Sequence, residues 1–251
     1  WKMIRRIFEM GVEEGILTKN PASAFKVRGI SQEQQVLTAV EAQKLLDEAR
    51  ASNHRFWGVW TFALMSGMRS GEMYAIRWTD VDMNAGNLSI TKQWTNKDGI
   101  CGPKWGSSRV VPISEDFKKF LMEWRQVNPG FKKELFDKRQ ARLTTHEDYI
   151  LPELPEWNHG MQADALRDFC KVLGITPVRF HDLRATFITN MLVQGVELPK
   201  VMMIVGHRKL GTTDKYLRKA GVPVQGATNA LGYKTPTQES FGNVVAFPKK
   251  S

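Results

Sequence analysis

The sequence predicts a mainly α-helical protein with a small antiparallel β-sheet, and three observations lead there. Apolar residues recur at helical spacing through most of the chain. Glycines stand where those helices should stop. One stretch, from Asp80 to Ile113, changes texture to β-branched runs separated by turn residues. With 251 residues, the chain has room for one large domain or two smaller ones.

The elements follow in order. Residues 1–17 carry Met3, Ile4, Phe8, Met10, Val12 and Ile16 among charges, which predicts a helix ending before Pro21; Pro21 to Gln35 reads as an exposed linker. The sequence opens at Trp1 inside that helical pattern, so the chain is expected to be a piece of a longer protein. Thr38-Ala39-Val40-Glu41 has the form of a capping box, and Ala42, Leu45, Leu46 and Ala49 follow on one helical face. Residues 54–66 are apolar on nearly every side, which predicts a central, buried helix ended by Gly67. Ser70 is placed to cap the next helix, which carries Met73, Ile76 and Trp78. Leu88 to Thr91 and Arg109 to Ile113 predict two strands joined by a hairpin containing glycine and lysine. Helices are predicted again at 115–127, 161–173, 182–194 and 198–205, with Gly174, Gly195 and Gly206 at C-cap positions. Residues 221–251 are weakly patterned, apart from a strand-like run from Asn243 to Phe247.

Composition narrows the partners. A 42% hydrophobic and 25% charged chain has the balance of a globular protein. Its longest apolar run, about Phe56 to Met65, is half of what a membrane span needs, so no membrane association is expected. The net charge of +10 favours a polyanion, because clustered Lys and Arg gain affinity from phosphates by releasing counterions. Cys101 and Cys170 lie far apart and match no zinc spacing, as in a cytoplasmic protein with reduced thiols.

Three short segments carry chemistry: Gly67-Met68-Arg69-Ser70-Gly71-Glu72, His181-Asp182-Leu183-Arg184, and Gly206-His207 through Tyr216. Phosphoryl transfer spreads negative charge over non-bridging oxygens, so its catalysis is mostly positioning plus cationic donors. Arginine suits that task through its planar, permanently charged fork. Arg69 follows a helix-ending glycine, and Arg184 shares a helical face with His181. Tyr216 is a candidate nucleophile once its proton is withdrawn or its developing charge is offset by nearby cations. His181 and His207 are candidate proton acceptors and phosphate donors, and Glu72 a carboxylate that orients His181 or an arginine. Taken singly, each has a plainer reading: a surface charge, a structural histidine, a packed tyrosine, an acid favoured by a helix dipole. Together they form a kit for attacking a phosphodiester without a metal. No acidic triad of the kind a metal-dependent nuclease or transposase needs is legible.

Arg69-x-x-Glu72, His181-x-x-Arg184, and Gly206-His207 with a tyrosine nine residues after the histidine resemble the tyrosine recombinase (phage integrase) family, over roughly residues 38–220 and in the same order. The resemblance implies the tyrosine recombinase catalytic-domain fold and a site-specific recombinase that needs no metal or cofactor. Arg69, Arg184, His181 and His207 would hold the scissile phosphate, and Tyr216 would form a 3′-phosphotyrosyl bond. A general-acid lysine belongs on the hairpin, where Lys92, Lys97 and Lys104 compete; Lys104, just before Trp105-Gly106-Ser107-Ser108-Arg109-Val110-Val111-Pro112, fits the family layout. Residues 1–28 resemble the end of the family's core-binding domain with its linker, 29–235 the catalytic domain, and 236–251 a tail. The implied partners are double-stranded DNA at an attachment or core site, a homotetramer on two sites, and accessory DNA-bending proteins, in a bacterial cytoplasm. A type IB topoisomerase-like activity and a non-catalytic DNA-binding module on the same fold are the alternatives.

Overall fold

The computed structural model describes residues 1–25, 34–103, 106, 108–153 and 161–221. The expected tail strand, Val244 to Phe247, lies outside the described residues, as does Lys104. Two compact units are present, residues 1–34 and 35–251. In the first, α1 (Lys2–Glu13) is followed by a turn in which the amides of Ile16 and Leu17 both donate to the Gly11 carbonyl. Trp1 packs edge-on against Phe25, and the Asn20 side chain donates to the Arg5 carbonyl at 3.0 Å.

The second unit holds helices α2 (Ala39–Ala51), α3 (Trp57–Ser66), α4 (Ser70–Tyr74), α5 (Glu115–Val127), α6 (Met161–Val172), α7 (Phe180–Val193), α8 (Leu198–Val205) and α9 (Leu210–Ala220) among the described residues. The capping box of α2 is formed: the Glu41 amide donates to Thr38 Oγ1 at 3.2 Å, and the Thr38 amide to Glu41 Oε2 at 2.8 Å. Helix α3 is buried along nearly its whole length, with Trp60 and Phe62 fully enclosed. Gly58 lets the Trp124 ring of α5 lie directly on its backbone, where an added Cβ would sit 2.4 Å from the ring. Helix α7 packs against α3 on one side and α9 on the other, which makes it the axis of the unit.

The expectation for α4 fails in two details: the helix ends at Tyr74, so Ile76 and Trp78 lie beyond it, and its cap differs. Ser70 is the first residue of α4 and does not cap it; Arg69 takes the capping position, and its amide donates to Glu72 Oε2 at 2.8 Å. The Glu72 carboxylate thus satisfies the amide of the capping residue from the third position of the helix.

The three-stranded antiparallel sheet comprises β1 (Val81–Asp82), β2 (Asn87–Ile90) and β5 (Arg109–Pro112), in the order β1-β2-β5, with Leu88 opposite Val111 and Ile90 opposite Arg109. The connection between β2 and β5 is more than a hairpin loop. It contributes β3 (Gln93–Thr95) and β4 (Gly99–Cys101) to a second sheet, completed by β6 (Phe131–Asp137) and β7 (Arg142–Tyr149) in the order β3-β4-β6-β7. The β4–β6 pairing, at Ile100 and Asp137, is parallel. The fold is therefore mainly helical, as expected, but carries an additional sheet. Among the described residues no helix is long and apolar enough to cross a membrane.

Candidate active site

Glu72 lies at the centre of the site with none of its side chain exposed. Such a carboxylate persists only with close charged partners, and it has two. Arg109 Nη1 and Nη2 grip Oε1 and Oε2 at 2.8 and 2.7 Å, a bidentate fork. Arg69 Nη1 adds a bond of 2.9 Å to Oε1, besides the amide bond that caps α4. Burial alone would raise the Glu72 pKa, but the hydrogen bond and charge of Arg109, with the amide and charge of Arg69, outweigh it and hold the carboxyl at about 2.

Arg109 and Arg184 then tie three chain segments together. Arg109 Nε donates to the Ile204 carbonyl at 2.8 Å, which binds β5 to the end of α8. Arg184, 4% exposed on α7, donates from Nη1 to the Gly67 carbonyl at 2.6 Å and from Nη2 to the Val205 carbonyl. Both of those carbonyls sit at helix ends, where backbone acceptors lack intrahelical donors. Gly67 and Gly206 supply the left-handed turns, at φ of 60° and 69°, that aim the chain into the site. Burial, and then the neighbouring charge of Arg69, push the Arg184 guanidinium down to about 9, against the pull of Glu72. Three guanidinium groups against one carboxylate leave a surplus of two positive charges in a largely enclosed space. Such a concentration of positive charge attracts an anion.

Beyond Gly206, the His207 ring is hydrogen-bonded through Nδ1 to Thr213 Oγ1 at 3.0 Å, and it stacks over Tyr216 with ring centroids 6.2 Å apart. Tyr216 is 4% exposed, packed with Ala185, Ile188, Leu192, Val201 and Val205, and near enough to Arg184 to favour its charge. His181 is exposed in the first turn of α7, three positions before Arg184. The structure thus brings Arg69, Glu72, Arg184, His207 and Tyr216 into one neighbourhood.

The lysine candidates divide. Lys92 is paired with Asp80 at 2.9 Å, and Lys97 is exposed at the turn between β3 and β4. Lys104 is outside the described residues, but Gly106 and Ser108, close behind it in sequence, line a concave pocket with Arg109, Gly206, His207 and Arg208. Sequence reasoning placed Arg109 only as the first residue of a strand. Its sole legible signal was an arginine opening an otherwise apolar run, which says nothing about where the side chain points. Glu72 is hydrogen-bonded to two arginines, Arg69 and Arg109. Among the described residues no three His, Cys, Asp or Glu side chains are grouped to hold a metal ion.

Comparison with known proteins agrees with this architecture. The Phage integrase family profile matches residues 35–221, and the chain belongs to that family. It is 27% identical over 217 residues to the ICEBs1 integrase of Bacillus subtilis, covering 84% of this chain and 57% of that protein. A XerC-like tyrosine recombinase of Caldanaerobacter subterraneus is 24% identical over 230 residues, with 84% and 58% covered. The chain therefore spans less than two thirds of the length of these relatives. Among solved structures, the Tn1549 transposon integrase in complex with a circular intermediate DNA superposes with a TM-score of 0.68 at 17% identity, over 84% of this chain and 71% of that one. A lambda integrase tetramer bound to a Holliday junction gives 0.60 at 17% identity, over 88% and 58%. The fold is that of the tyrosine recombinase catalytic domain.

Proposed function

We propose that this chain is the catalytic portion of a site-specific DNA recombinase, an integrase that inserts or excises a phage or other mobile element. The observation that carries the reading is the surplus of buried guanidinium charge gathered around Glu72, with Tyr216 and His207 beside it. A scissile phosphate matches this positive charge. Arg69 and Arg184 grip its non-bridging oxygens, His181 and His207 donate to it, and Glu72 with Arg109 hold the arginines in register. Tyr216 Oη attacks phosphorus as its proton passes to a neighbouring base; the P–O5′ bond breaks, and Lys104 protonates the departing oxygen. One phosphoester replaces another, so the step needs neither a metal nor an energy source, and the 5′-hydroxyl later reverses it on a new partner strand.

The net charge of +10 supports duplex DNA as the substrate. Strand exchange between two sites calls for four copies of the chain, and the lambda integrase tetramer on a Holliday junction is a precedent in a similar fold. Accessory DNA-bending proteins and a bacterial cytoplasmic setting complete the reading, as do a domain division with residues 1–28 belonging to a preceding DNA-clamping domain and residues 236–251 forming a tail.

A suicide duplex carrying the element's attachment site, nicked so that the freed strand diffuses away, should trap a covalent adduct in the presence of chelator. Tyr216→Phe should abolish it. An adduct that survives in the phenylalanine variant overturns the nucleophile, and loss of the adduct in chelator overturns the metal-free chemistry. Relaxation of supercoiled DNA by isolated monomers, without exchange between sites, would move the chain to topoisomerase-like activity.

A further inference from the structure

We propose that Lys133 is a positioning residue for the arginine cluster: from β6 it ties down the C-terminal end of α4, the helix whose other end carries Arg69 and Glu72. The inference rests on the recombinase reading for its catalytic meaning but stands on its own geometry. Lys133 occupies an inward position of β6 and is 1% exposed, an unusual place for an ammonium. Its Nζ donates to the Tyr74 carbonyl at 2.9 Å and lies 4.1 Å from the centroid of the Tyr74 ring and 4.9 Å from that of Tyr149. Tyr74 is the last residue of α4, so the lysine satisfies a carbonyl that the helix itself leaves open.

Helix α4 needs such support. At five residues it is far too short to be stable alone, so its placement comes from contacts made by other elements. The second sheet supplies them. The Tyr74 ring packs 4.6 Å from that of Trp94 on β3, and Gly71 lies so close to the Trp94 carbonyl that a Cβ would stand 2.4 Å from it. Over a helix about 7.5 Å long, displacement of one end moves the other. The second sheet is thus a floor beneath the site, and Lys133 is its latch.

The latch is also sensitive to pH. Burial pushes the Lys133 pKa down to about 7, with Glu153 opposing. The other ionisable groups around it are Tyr74 from α4, His146 and Tyr149 from β7, and the Arg77–Asp148 pair, which bears on Tyr149. Opening the contact returns the lysine to water and to its ordinary pKa of 10.5. The closed contact is therefore favoured increasingly as pH rises above 7, and gains nothing below it.

Two measurements test this. In single-turnover trapping, Lys133→Met should slow adduct formation by about tenfold or more while duplex affinity stays within about twofold. In the wild-type chain without DNA, amide hydrogen exchange corrected for its intrinsic rate should show protection of residues 73–76 rising from pH 7 to 9 more steeply than that of α5. An unchanged adduct rate in a folded Lys133→Met variant, or parallel pH slopes for α4 and α5, overturns the proposal. If the variant does not fold, the exchange measurement decides. If the wild type forms no Tyr216-dependent adduct, the recombinase reading fails while the exchange test of the latch still stands.

Discussion

At Glu72, burial and pairing act in opposite directions, and the balance can be measured. Its pKa is held at about 2, below the ordinary 4.5, so its contribution to folding is complete above pH 4.5 and is lost as pH falls toward 2. The contribution is about 3 kcal/mol, and the unfolding free energy should decline through that window. Glu72→Gln should flatten the decline and cost about 3–5 kcal/mol at neutral pH, because Arg109 is left buried without its counter-charge. A Gln variant as stable as the wild type at pH 7 would show that the carboxylate is not what holds the arginines together. Arg184→Lys should cost more activity than stability. A lysine cannot bond the Gly67 and Val205 carbonyls and a phosphate with one planar fork, so adduct formation should fall about 10²- to 10³-fold. At this scale the motif residues were legible as candidates because arginines stand in a recognisable order with two of the few histidines and one of the few tyrosines. Arg109 was not, since a strand residue's side-chain direction depends on a register that only the folded sheet sets.

Among the elements, the helices were the legible part. Apolar spacing marked the faces of α2, α5, α6 and α8, and left-handed glycines, Gly174 and Gly206, follow the last two. The β6–β7 hairpin was missed for a physical reason. Lys132, Lys133, Glu134, Arg142, Thr144, Thr145, His146, Glu147 and Asp148 leave few apolar residues to show a period of two, and one inward position is itself a lysine. The hairpin is held by pairing with β4 and by the cover of α4, neither of which a local window can see. Gly206 offers a test of how elements transmit position. Gly206→Ala places a Cβ in a left-handed backbone, at a cost of about 1–2 kcal/mol, and 3.0 Å from Arg109 Cδ. The thermal midpoint should fall, and cleavage should fall further than lost stability explains, because the displaced guanidinium is the one holding Glu72. A variant with lowered stability but wild-type cleavage would separate the turn from the site.

On the scale of the whole molecule, the charge of +10 makes a prediction independent of any single residue. If binding neutralises about six phosphates, affinity for duplex DNA should drop about 10³-fold between 50 and 200 mM salt. Fluorescence anisotropy across that range measures it, and a shallow slope would mean that the charge is spread as solubilising surface. The basic balance was plain in the composition. Its concentration around one buried carboxylate was not, because that depends on contacts between distant parts of the chain. Arg109 reaches Glu72 across 37 residues and Ile204 across 95, and Arg184 reaches Gly67 across 117. This connectivity has a consequence during protein synthesis. Once Glu72 is made, the ribosome must add a further 144 residues, from 72 to 216, before the tyrosine exists. At about 5–20 residues per second that interval is roughly 7 to 30 s. Until Arg109 is added, 37 residues into that interval, the Glu72 carboxylate has no bidentate partner, so the buried pair is completed only by residues that the ribosome delivers later.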